Sequence, residues 1–160
     1  MMNEIGFGGG CHWCTEAIFQ SLRGVKKVDQ GWIRSHPPYD TYSEAARIQY
    51  DPEIISLATL IEIHLLTHSS TSNHPLREKY RSAIYTLDED SKIKSLEILN
   101  DLKASDKKDY ITRVLPMVEF KLNEEQFLDY YKNQPDAPFC KRYIHPKLKK
   151  LRAEYANFTK

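Results

Sequence analysis

Residues 5–22 read Ile5-Gly6-Phe7-Gly8-Gly9-Gly10-Cys11-His12-Trp13-Cys14-Thr15-Glu16-Ala17-Ile18-Phe19-Gln20-Ser21-Leu22, and this stretch decides the architecture. The segment Ile5-Gly6-Phe7 predicts a short apolar strand, and the glycines after it predict a turn. Ala17, Ile18, Phe19 and Leu22 then recur at the spacing of one buried helix face, with Gly24 as the stop. Strand, turn and helix start therefore converge on Cys11. A thiol attacks only as thiolate, and the unpaired N–H groups and partial positive charge of a helix N-terminus favour that anion. Glycines without a Cβ also let the backbone pass close to a small substrate. These features make Cys11 a candidate nucleophile; the alternative is a structural cysteine, since cysteine is often only a small buried hydrophobe.

Outward from this stretch, Val25 to Ile33 reads as extended, and Ser35-His36-Pro37-Pro38 breaks it. Ala46, Ile48 and Tyr50 alternate with Arg47 and Gln49 as a half-buried strand closed by Asp51-Pro52. Leu57, Leu60, Ile61 and His64 or Leu65 form one stripe of a helix from about Ser56 to Thr67, and a polar loop from Ser69 to Pro75 follows. Ser82 to Tyr85 predicts a buried strand. Asp88 to Ser91 supplies acidic starters for a helix carrying Ile93, Leu96, Leu99 and Leu102. Ile111 to Val118 predicts another strand, and Asn123 a cap for a short helix bearing Phe127 and Tyr130. Pro135 to Pro138 breaks the chain before Cys140. No repeat or low-complexity linker divides it, so residues 1–160 are expected to form one domain, with 135–160 as a C-terminal, mobile tail carrying Cys140. Helices and strands interleave without doubly wound units, which predicts an α+β sandwich with helices packed on a mixed sheet.

A chain of 160 residues can bury a real core, and its 41% hydrophobic and 28% charged residues argue against disorder and fibrous classes. The net charge of +1 offers no field to gather nucleic acid or an anionic membrane, and the basic run from Lys141 to Arg152 reads as a solvated helix face. No apolar run approaches the roughly 20 residues that span a bilayer. Met1-Met2-Asn3-Glu4 also lacks a basic leader, so a cytoplasmic protein is expected. Three cysteines form an odd set, unlike that of a secreted domain stapled by disulfides. Cys14 follows Cys11 at helical spacing, with Cα atoms roughly 5 Å apart, within reach of a disulfide. Zinc is the alternative, but its other ligands would have to come from His64, His68, His74 or Cys140, and no second compact pair exists. His64 and His68 stand one turn apart, yet Leu65 occupies the place where a metalloprotease motif needs Glu. Neither a metal nor an organic cofactor is predicted.

Gly9-Gly10-Cys11-His12-Trp13-Cys14, followed by an amphipathic helix ending at Gly24-Val25, resembles the signature of the class A peptide-methionine sulfoxide reductases. That family reads G-C-F-W here, so His12 replaces its Phe. Glu44-Ala45-Ala46-Arg47-Ile48-Gln49-Tyr50-Asp51-Pro52 is similar to its A-E-A-V-R-I-x-Y-D-P block, and Tyr80-Arg81-Ser82-Ala83-Ile84-Tyr85 to Y-R-S-A-I-Y. Thr41-Tyr42 looks like its substrate-side tyrosine, and Pro135 to Cys140 like the region of its resolving cysteine; Pro146-Lys147-Leu148 also recurs. The resemblance runs from about Gly6 to Leu151. It implies a two-layer sandwich with a ferredoxin-like core and reduction of methionine S-sulfoxide, free or in peptides, through a sulfenic acid and a disulfide.

The resemblance also implies roles. Cys11 attacks sulfur, and Glu44, kept protonated by an apolar pocket, gives its proton to the oxygen. Tyr42 and Tyr80 hold that oxygen, and Trp13 walls the methyl group with His12 beside it. Cys140 resolves the sulfenic acid, with Cys14 as the alternative on helix geometry. A thioredoxin-like dithiol regenerates a monomeric enzyme. There are departures. Thr67-His68-Ser69-Ser70 stands for N-H-D-P, and Asn73-His74-Pro75-Leu76-Arg77 for the G-N-D-x-G region, so an acid that helps hold the oxygen is missing. The Ile33–Tyr42 loop is short, Phe127-Leu128 replaces His-Gln, and Phe139 a tyrosine. A divergent reductase is expected; the rivals are a general disulfide oxidoreductase using Cys11 and Cys14 and a non-catalytic sulfoxide-binding protein.

Overall fold

The computed structural model describes every residue except Met1 and His74. Strand β1 (Asn3–Gly8) buries Ile5 and Phe7 at the centre of a six-stranded sheet of order β5-β4-β1-β3-β2-β6. It pairs antiparallel with β3 (Ser43–Tyr50) and with β4 (Ala83–Thr86), and β3 pairs antiparallel with β2 (Val25–Arg34). With helices α1 (His12–Gln20) and α2 (Leu57–Leu66) in the two crossovers, β1-α1-β2-β3-α2-β4 is the ferredoxin-like arrangement. Strand β5 (Arg113–Pro116) adds in parallel beside β4, which makes the sheet mixed, and β6 (Glu119–Leu122) adds beside β2. The fold is α+β, as expected.

Alternation along the strands divides the apolar side chains between two faces. One face carries Ile5, Phe7, Ile48 and Ile84 against Ile18 and Phe19 of α1, Leu60 and Ile61 of α2, and Leu148 and Leu151 of α5 (His145–Tyr155). Phe7 stacks on Phe19 with ring centroids 4.8 Å apart. Each such side chain contributes about 1.5–3 kcal/mol by leaving water, so the start of α1 is held by its buried lower turns. The opposite face carries a smaller cluster of Ile33, Ala45, Ala83 and Tyr85.

Three local expectations change. The strand expected over Ile111–Val118 is shorter, β5 alone over Arg113–Pro116, because after Pro116 the chain leaves β4 and crosses to the far edge, where β6 pairs with β2. On α3 (Glu89–Asp106), capped by Asp88, Leu99 is buried whereas Ile93 and Leu96 are exposed. The stretch expected to be a mobile tail is packed: a π turn, Cys140–Ile144, leads into α5, and Cys140 and Ile144 are fully buried. No helix among the described residues is long and apolar enough to cross a membrane.

Candidate active site

The turn after β1 delivers Cys11 to the N-cap of α1, where its carbonyl accepts the Thr15 N–H at 3.1 Å. Gly9 has φ +147°, and a Cβ there would lie 2.4 Å from the His68 ring. That ring is fixed, its Nε2 2.7 Å from Ser82 Oγ and its plane stacked on His64. Only glycine fits both the angle and the gap.

Cys11 is half-buried, and its thiol is lowered from the ordinary value to about 4. The hydrogen bond donated by Cys14 is the largest cause, followed by the His12 side chain and the Trp13 backbone N–H, against an opposing effect of burial. Cys14 is raised for the complementary reason: it keeps its proton because it donates it to Cys11. Burial raises the Cys140 thiol. Cys11 is therefore the anion of the set and the other two are neutral thiols.

Glu44 reaches the same place from β3. Its Oε1 accepts the His12 backbone N–H at 3.3 Å and lies 3.2 Å from His12 Nδ1, while Lys79 Nζ stands 3.6 Å from Oε2. The ligand atoms of Cys11, His12 and Glu44 all fall within 4.8 Å of one another. Glu44 is buried, but the apolar pocket expected around it is a polar one, supplied by an imidazole, a backbone N–H and an ammonium. His12 is buried against Trp32, edge to face at 5.4 Å, and turns its nitrogens toward Glu44 and Asn123.

Tyr80 shares with Cys11, Gly10, His68 and Lys147 an open cavity of about 280 Å³. Trp13 stacks on Tyr130 with centroids 4.0 Å apart and meets Phe139 edge-on at 5.4 Å, an aromatic wall beside the nucleophile. Tyr42 is not brought to Cys11. It is 41% exposed, and its hydroxyl pairs with Glu119 and Arg34 where β2 meets β6. It does not line the cavity that Tyr80 shares with Cys11. Of the zinc alternatives, His64 Nε2 is bonded to Gly8 O and His68 to Ser82, and His74 lies outside the described residues.

Two residues at the site carried no expectation of chemistry. Lys147 Nζ donates to Thr67 O beside the cysteines, and burial lowers its pKa. Asn123, expected only to cap a helix, turns its amide toward His12. A Pro-Lys pair opening the last helix is a faint sequence signal for the first; the second has none.

A half-buried thiolate capping a helix, a second thiol bonded to it and a carboxyl group alongside define a thiol-dependent oxidoreductase site. The family described as peptide methionine sulfoxide reductase matches residues 3–159. Among relatives, the peptide methionine sulfoxide reductase MsrA of Deinococcus radiodurans is 34% identical over 94% of this chain and 81% of its own. That of Acinetobacter baumannii (strain AYE) is 31% identical over 99% of each. Mxr1 of Saccharomyces cerevisiae shares the fold. Its reduced form superposes with a TM-score of 0.72 at 19% identity, covering 87% of this chain and 89% of that one. Mxr1 in complex with Trx2 superposes with a TM-score of 0.64 at 18% identity over 78% and 83%. The chain belongs to the peptide methionine sulfoxide reductase family.

Proposed function

We propose that this chain reduces methionine S-sulfoxide, free or within peptides, to methionine, with Cys11 as nucleophile and Glu44 as acid. The observation that carries the reading is the juxtaposition of the Cys11 thiol, held as anion, with the Glu44 carboxyl group. A sulfoxide sulfur is a poor electrophile until its oxygen is protonated or strongly hydrogen bonded. Oε1 of Glu44 already faces two nitrogens of His12, so Oε2 is the atom that brings the proton. The thiolate attacks sulfur and the oxygen takes the Glu44 proton. The hydroxyl group so formed then passes to Cys11 Sγ as the S–O bond and the newly made S–S bond break, leaving the thioether and a Cys11 sulfenic acid. Tyr80, which lines the Cys11 cavity, holds the oxygen, and Trp13, stacked on Tyr130, walls the methyl group. A pocket that merely bound sulfoxides would need neither a thiolate nor an acid.

A second thiol condenses with the sulfenic acid, releasing water and forming a disulfide, which an external thioredoxin-like dithiol reduces by exchange. The resolving role falls to Cys140 by its place in the chain. The hydrogen bond from Cys14 to Cys11 favours Cys14 as the second reading. Peptide mapping of sulfoxide-oxidised protein decides between a Cys11–Cys140 and a Cys11–Cys14 crosslink. Unpaired cysteines in all three positions suit a reducing compartment such as the cytoplasm, where the enzyme works as a monomer. Turnover of the S epimer, and not the R epimer, with dithiothreitol is the expected result. Activity persisting in Cys11→Ser would refute the assignment.

A further inference from the structure

Behind Glu44 lies a buried file of polar side chains that the reaction above leaves unused: Gln30, Asn123 and the ring of His12. Its orientation can be read from one end to the other. Asn123 Oδ1 accepts the Glu124 N–H at 2.9 Å, which fixes the amide with Nδ2 inward. Nδ2 donates to Gln30 Oε1 at 2.6 Å and faces His12 Nε2 at 3.3 Å. Gln30 is itself fixed by donation from Nε2 to Phe127 O at 2.9 Å. A donor aimed at Nε2 makes that nitrogen an acceptor, so the ring hydrogen of neutral His12 sits on Nδ1. Nδ1 is sealed from solvent, 3.2 Å from Glu44 Oε1 but off the line of a well-formed hydrogen bond to it. Cys11 Sγ and a Glu44 carboxyl oxygen each lie within 4.8 Å of a His12 ring nitrogen.

We infer that Asn123 is a positioning residue that locks His12 as its Nδ1–H tautomer, so that one ring N–H is held between Cys11 Sγ and the Glu44 carboxyl group. A ring donor held there favours the charged form of the Cys11 thiol. Where the resemblance expects an apolar Phe, this chain places a donor whose direction is set by an amide on the residue directly after β6. The arrangement suits proton sharing and not a cation, because a metal-bound imidazole gives its other N–H to an acceptor and Asn123 presents a donor. The charged and titratable groups facing this point are Cys11 from α1, Glu44 from β3 and, on Glu44 Oε2, Lys79 ahead of β4; Cys14 stands against Cys11, and Glu16 against Gln30 at the far end of the file. Lys147 of α5 and Tyr130 of α4 (Tyr130–Asn133) stand on the far side of Cys11. At Nε2 the neighbour is Asn123. The consequence for catalysis rests on the reductase reading; the tautomer does not.

The test needs no sulfoxide. Nitrogen NMR of the reduced native protein, labelled at histidine, should show Nδ1 of His12 as the hydrogen-bearing nitrogen and Nε2 as the acceptor. Hydrogen on Nε2 would overturn the inference. Alkylation of Cys11 by iodoacetamide across pH gives the functional arm. Asn123→Leu should raise the midpoint by about one pH unit when His12 is present and leave it unmoved in a His12→Phe background. Equal shifts in both backgrounds, or a shift in neither, would also overturn it. Loss of sulfoxide turnover with these results intact would instead count against the reductase reading alone.

Discussion

Replacing Cys14 by alanine removes the donor that does most to hold Cys11 as an anion. A hydrogen bond to a charged group contributes about 1.5–3 kcal/mol, which at about 1.4 kcal/mol per unit raises the Cys11 titration by about one to two pH units. From a starting point of about 4, the midpoint should move up to roughly 5–6. The sign follows from the chemistry: only thiolate reacts, so a raised midpoint slows attack below it and leaves attack above it unchanged. At pH 5 the variant should alkylate about two- to tenfold more slowly than the native protein, and at pH 8 at the same rate. The assay is iodoacetamide labelling of reduced protein, read by mass spectrometry of the Cys11 peptide. Cys14→Ser, which keeps an O–H donor, should hold the midpoint within about half a unit of native. Cys14 is buried, so thermal unfolding must show that both variants fold. A Cys14→Ala midpoint at or below the native one would refute the idea that the second thiol supports the first.

Gly9→Ala forces a side chain onto the His68 ring at a left-handed φ, and should destabilise the protein by about 2–4 kcal/mol, visible as a thermal midpoint lowered by about 5 °C or more. Tyr80→Phe removes the phenol lining the Cys11 cavity and should cut sulfoxide turnover by about 10²-fold. Tyr42→Phe, altered at the β2–β6 edge, should change turnover by less than about twofold, since surface substitutions away from the site are nearly neutral. Steady-state assays of the pair check both. Glu44→Gln keeps the shape but loses the acid, and should lower turnover by about 10²–10⁴-fold while Cys11 alkylation at pH 8 persists.

Much of this is legible in one dimension because the signals are local. The apolar strand, the glycine turn and the helix stripe after Cys11 depend on neighbours within a few residues, and β1, α1, β2, β3, α2 and β4 lie where those patterns put them. The misreadings are long-range. The run from Ile111 to Val118 has one strand-like pattern, and nothing in it shows that its partner changes from β4 to β2 after Pro116. The apolar residues of α3 have helical spacing, yet what covers them depends on distant elements, and Ile93 and Leu96 stay exposed. The residues around Tyr42 mark it as a substrate contact by resemblance. The fold places it against Arg34 and Glu119 instead.

At the site the division is the same. The sequence by itself determined that a cysteine would cap a helix after a glycine turn, because backbone conformation and helix end charge act within one turn of chain. It could not determine what would stand around that sulfur. Glu44 at 32 positions from His12, and Asn123 at 111, arrive through sheet pairing and a strand that crosses from one edge to the other. Their effect on the thiol falls away within a few ångströms, and distances on that scale exist only once the chain has packed.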